Sequence, residues 1–193
     1  MTPPPLVTTD TANSSLALHG SARASWFFAV TVFLTTVVQA LVSPTVALIE
    51  GGQPWPLAVP VWATYLLLTL GCAVQAGVLF LSGRMPRLTI AVVVAIHLAL
   101  ATGLSVPTWV AGMSLPISVA IFLAATRLAP ARAIFWCLAV VLVESAALLW
   151  WVLATGAGLT VAFGWMAAQV VSMAAPAVGG TALGLWWSVK AKR

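Results

Sequence analysis

The sequence predicts an all-α polytopic membrane bundle of six transmembrane helices with both termini cytoplasmic. Three observations carry that expectation. First, 62% of the 193 residues are apolar and only 6% are charged. A soluble globular protein carries about 25% charged residues, so this chain lacks the polar side chains to cover a water-facing surface. Second, the apolar runs are far longer than the ~10 residues of a barrel strand and lack period-2 alternation. Helices are then the form in which lipid-exposed backbone satisfies its own hydrogen bonds. Third, the basic residues segregate between the apolar segments.

Residues 1–22, opening MTPPPLVTTDTANSS, are rich in Pro, Thr and Ser and read as a polar, disordered cytoplasmic tail. They lack the basic n-region of a secretory signal. The transmembrane domain is expected over 23–189, with a basic cytoplasmic end at 190–193. Its six apolar segments are 25–49, 57–81, 88–106, 109–126, 133–153 and 159–187. Only Pro107 and Thr108 separate the third and fourth, which predicts a tight hairpin. Pro44, Pro116 and Pro176 are expected kinks.

The connections fix the orientation. Arg23 precedes segment one, Arg84 and Arg87 lie between two and three, and Arg127 and Arg132 between four and five. Lys190, Lys192 and Arg193 follow six, so all eight basic residues fall on one side. The positive-inside rule makes that side cytoplasmic. A five-helix reading breaks the separation. The ten tryptophans agree, since each falls near a segment end and none at mid-span. The chain is therefore expected in the bacterial cytoplasmic membrane as a multi-pass protein, with the lipid bilayer as its first partner.

The net charge of +5 is spread over isolated residues and small groups, which argues against nucleic-acid binding. Cys72 and Cys137 lie inside apolar segments and read as packing residues. No CxxC or His/Cys cluster suggests a metal. There is no HExxH, GxSxG or phosphate-binding glycine loop, so neither a cofactor nor a catalytic residue is expected, and the protein reads as a non-enzyme.

One ionisable residue, Glu144, interrupts the run AIFWCLAVVLVESAALLWWVLA at 133–154. It sits ~18 Å beyond Arg132 along its helix, and His97 sits ~15 Å beyond Arg87. Both helices run outward, so the two side chains share a depth. They are a candidate hydrogen-bonded pair, able to relay a proton or switch with pH or ligand. The competing reading satisfies each separately by a hydroxyl or backbone carbonyl. Gln39 and Gln169 lie near the same depth and either line one polar cavity with the pair or act as interhelical glue. Gln75 lies nearer the inner end. Segment six carries a row of small residues that includes Ser172, Pro176, Gly180 and Gly184, spaced by four. This is a packing face within the chain or a homodimer face. Segment four carries a similar row: Gly112, Pro116, Ala120 and Ala124.

Three stretches carry a resemblance to a known family: LFLSGRMPRLTIAVVVAIHLAL, PISVAIFLAATRLAPARAIFWCLAVVL and GGTALGLWWSVKAKR. They resemble the amino-terminal membrane module of actinobacterial-type sensor histidine kinases. In that family the last helix continues into a dimerisation coil and a kinase core. This chain ends at Arg193 with no phosphoacceptor region or ATP-binding glycine boxes. The resemblance thus implies an input module that senses a ligand, lipid or partner within the helices and either acts on a separate membrane or cytoplasmic protein or is a fragment of a longer chain. Six helices in a chain of this size also resemble the substrate-binding subunit of vitamin transporters. A third alternative is a regulatory or assembly subunit of a larger membrane complex.

Overall fold

The computed structural model describes residues 26–38, 57–106, 114–156 and 158–190, and every regular element among them is helical. We label these α1 (Trp26–Val38), α2 (Val61–Val78), α3 (Pro86–Gly103), α4 (Leu115–Ala125), α5 (Pro130–Thr155) and α6 (Leu159–Lys190). A 3₁₀ segment, Leu79–Gly83, prolongs α2. Four stretches are long and apolar enough to cross a membrane: Val61–Gly83, Pro86–Gly103, Pro130–Thr155 and Ala162–Lys190. α1 and α4 are shorter apolar helices. The expected tail at 1–22, the 107–108 hairpin, Gln39, Pro44, Gly112 and residues 191–193 lie outside the described residues.

Local chemistry explains the ends. α3 and α5 each open on a proline, whose missing N–H costs nothing in a first turn and whose φ suits a helix. Pro116 does the same for α4, as its second residue. This corrects the expectation of a kink there: the proline starts a helix rather than bending one. α3 closes on Ser105 at φ 55°, with the Val106 N–H donating to Ala101 O at 3.0 Å. That is a Schellman-type cap in which serine occupies the left-handed position usual for glycine. α5 closes on Gly156 at φ 70°.

α4 is the centre of the bundle. Pro116, Ile117, Ala120, Ile121, Leu123, Ala124 and Ala125 are all buried along its short length. Of these, Ile117, Ala120, Ile121 and Ala124 share one core cluster with Ala29 and Val32 of α1, Ile90, Val93 and Val94 of α3, Cys137 and Val140 of α5, and Met173 and Ala177 of α6. The Phe28 and Phe122 rings, with centroids 6.1 Å apart, add to the α1–α4 contact. Two smaller clusters lie toward the other end: Leu68, Cys72, Leu104 and Val106, and separately Leu148, Val152 and Ala162. In hydrocarbon such contacts contribute packing rather than a hydrophobic gain.

Two contacts fix which ends lie together. The Ala58 N–H donates to Leu104 O at 3.4 Å, joining the start of α2 to the end of α3. At the opposite end Arg127 Nη1 donates to Ser82 O at 3.1 Å, joining the α4–α5 turn to the α2–α3 turn. Partial burial lowers the Arg127 pKa, though a guanidinium keeps its charge at any physiological pH.

α6 is the least enclosed helix. Among its residues of described exposure only Ala162, Met173, Ala177 and Gly180 are buried. Its lower half lies close against α4: a Cβ on Gly180 would collide with Phe122 O and stand 2.9 Å from Ala125 Cβ, and one on Gly184 would stand 2.6 Å from Thr126 O. The small residues are there because the two backbones nearly touch.

Candidate functional site

The polar residues at mid-bundle converge on α6. Nδ1 of His97 stands 2.8 Å from Oε1 of Glu144, and both side chains have no exposed surface. Gln169 Nε2 donates to Oε2 of the same carboxyl group at 3.3 Å. One carboxyl therefore links three helices, α3, α5 and α6. His97 and Glu144 meet because two helices rising the same way carry them at matching heights. Gln169 meets them from α6, which runs antiparallel. Of the candidate cluster the structure thus brings together Glu144, His97 and Gln169; Gln39 lies outside the described residues.

The layers around the triad are apolar. Val93, Val140 and Met173 lie about one turn away on one side of it, within the main core. Leu148 and Met166 lie about one turn away on the other. A polar layer so enclosed has high electrostatic leverage, because a lost partner is not replaced by water. Either tautomer of His97 suits the contact: Nδ1–H donates to a carboxylate, or a carboxylic acid donates to a bare Nδ1. The pair can therefore hold one proton between two atoms.

Just below the triad, α6 has a backbone defect. Pro176 has no N–H, so Ser172 O loses its partner in the helix, although the helix continues without interruption through this point. Ser118 Oγ from α4 lies 3.2 Å from Ser172 O and 3.3 Å from Ser114 O in its own helix. Neighbouring hydroxyls are a usual remedy for a proline in a membrane helix. On the adjacent carbonyl, Cys137 Sγ of α5 donates to Met173 O at 3.5 Å. α6 is thus held at 169, 172 and 173 by three side chains from two helices.

Ser118 and Cys137 were not legible as partners of α6 in the sequence. The signal for Ser118 was available, however: Pro176 implies a bare carbonyl four residues earlier, and a hydroxyl at that depth answers it. Gln75 is also more enclosed than its position near the inner end suggests. It is fully buried, its Nε2 donates to Val93 O at 3.0 Å, and its Oε1 has no hydrogen-bond partner among the described residues. Both cysteines are buried and free, as packing residues would be. In the small-residue row, Gly180 and Gly184 are occupied by α4, so a second copy docking through them would have to displace it.

A hollow of about 460 Å³ lies along the first half of α6, lined by Thr160, Gly164, Trp165 and Ala168. None of the triad side chains lines it. Among the described residues no group of three His, Cys, Asp or Glu side chains is placed to hold a metal ion. Comparison of the chain with protein-family models, curated proteins and solved structures gives no match.

Proposed function

We propose that the protein is a non-enzymatic sensing or interaction module of the bacterial cytoplasmic membrane, crossing it six times with both termini inside. A ligand, lipid, proton or partner changes the environment of His97 and Glu144, and α6 carries the change to its basic cytoplasmic end. The observation that carries this reading is the Glu144 carboxyl group, which ties α3 and α5 to α6 one to two turns above the Pro176 defect. A helix with a weakened hydrogen-bond ladder, gripped by side chains rather than enclosed by them, is an element with two accessible positions. The output would be read by a membrane or cytoplasmic protein partner.

The six-span arrangement has its own support. Arg127 reaches Ser82 O and Leu104 O meets Ala58 N–H, so Leu104 and Arg127 lie at opposite ends of the bundle. α4, at about 16 Å, supplies half of a bilayer core, and residues 107–113 precede it.

The test is a distance measurement. Spin labels at Ala131→Cys and Ser188→Cys, in a Cys72→Ala, Cys137→Ser background, report the position of the α6 end. Glu144→Gln and Glu144→Ala should shift or broaden the distance distribution in lipid while helical content is retained. An unchanged distribution in both variants overturns the proposed coupling. A small solute that stays bound through purification of the wild-type protein would instead favour a transport subunit.

A further inference from the structure

We propose that the α2–α3 and α4–α5 turns together form a binding site for the phosphate headgroup of an anionic lipid, with Arg84 and Arg132 as its principal cations. This rests on the reading that these turns lie at the cytoplasmic face.

Arg127 is what makes the two turns one surface. Its Nη1 donates to Ser82 O, and a Cβ on the neighbouring Gly83 would stand 3.1 Å from that same nitrogen. Arg84 follows Gly83 directly, Arg87 lies in the first turn of α3, and Arg132 lies in the first turn of α5. All four arginines are exposed. The side chains of Arg84, Arg87 and Arg132 make no hydrogen bond or ion pair with another described residue. Neither helix start has an acidic residue in its first turn or a side-chain cap. The positive ends of the two helices therefore add to the arginine charge instead of offsetting it. Among the described residues the one carboxyl group, Glu144, is committed at mid-bundle. Asp10 and Glu50 are outside the described residues.

Four cations on two turns that touch need a counter-charge, and guanidinium groups match phosphate oxygens in geometry. A basic pocket between transmembrane helices on the cytoplasmic side is the usual setting for an anionic headgroup. The apolar surroundings select a lipid over a soluble phosphate. Phe80, Leu81, Met85, Leu88, Ile134 and Phe135 are all exposed on the same elements. They lie where acyl chains would descend from a headgroup seated between the turns.

The full-length protein, reconstituted in phosphatidylcholine vesicles, can be probed with spin-labelled phosphatidylglycerol and spin-labelled phosphatidylcholine. The site predicts several-fold preferential association of the anionic probe, since one arginine at an anionic surface is worth about fivefold. Arg84→Gln with Arg132→Gln should bring the preference close to parity, Arg84→Lys with Arg132→Lys should keep much of it, and Lys190→Gln should leave it intact. Parity in the wild-type protein overturns the site. An equal loss in Lys190→Gln also overturns it, because general charge attraction would then suffice. Displacement of the probe by millimolar inorganic phosphate would overturn the choice of a lipid. Failure of the chain to float with the vesicles at all marks failure of the membrane reading instead.

Discussion

Glu144 has three roles open to it at the scale of a single side chain: ion, hydrogen-bond hub and packing volume. Its surroundings make the hub decisive. Both carboxyl oxygens have a neighbour on another helix, His97 on one side and Gln169 on the other. Interhelical hydrogen bonds in membranes average about 0.6 kcal/mol and reach about 1.7 kcal/mol, so the two bonds alone make a modest contribution. Alanine additionally leaves a void and takes a partner from the buried His97, at about 1–3 kcal/mol, and from Gln169, whose half-buried amide loses less. Gln75 provides the opposite case. Its Oε1 is buried without a partner among the described residues, and Val93 O keeps its place in the α3 ladder if Nε2 is removed. Gln75→Leu should therefore be neutral or stabilising, while Glu144→Ala loses about 2 kcal/mol or more. Unfolding in mild detergent, followed by thermal or denaturant titration, checks both. A large loss in Gln75→Leu would mean that Oε1 is satisfied after all.

Adjacent glycines separate packing from propensity at the scale of the element. Gly180 lies against the α4 backbone, whereas a Cβ on Gly179 meets only Phe122 Cε2 at an ordinary 3.8 Å. Gly180→Ala forces α6 away from α4 and should cost about 1–3 kcal/mol, as overpacking does. Gly179→Ala should be neutral or stabilise by up to about 1 kcal/mol through helix propensity. The same detergent unfolding measurement decides, and equal effects at the two positions would disprove the close α4–α6 contact. This level also shows what was legible in the sequence. Counting residues from an arginine gives depth, because rise per residue is constant, so the shared depth of His97 and Glu144 was legible, while their direct contact was one of two open readings. The spacing of Gly180 and Gly184 likewise announced a tight face. Rotation about the helix axis is set by neighbours, so the sequence did not distinguish a face turned toward α4 from one turned toward a second copy. It likewise concealed the burial of Gln75 and the reach of Cys137 to Met173 O. A segment beginning at 109 makes Pro116 a kink; the helix starting at Leu115 makes the same proline an ordinary first-turn residue.

At the scale of the whole molecule the deciding question is whether α4 carries the chain across the membrane. Composition counts it as a segment, yet its 11 helical residues are too few to cross alone. The Arg127–Ser82 contact bears on this directly, because an arginine side chain reaches only a few ångströms and Ser82 ends the α2 span. If the chain returned on one side, Arg127 and Arg132 would lie opposite Arg84 and Arg87, and the basic residues would no longer segregate. Single cysteines in the cysteine-free background discriminate. Ser105→Cys and Gly158→Cys should react with an impermeant maleimide on intact cells. Ala129→Cys and Ser188→Cys should react only after permeabilisation. Labelling of Ala129→Cys from outside would show that α4 does not complete a crossing, and the six-span arrangement and the shared arginine surface would fall together.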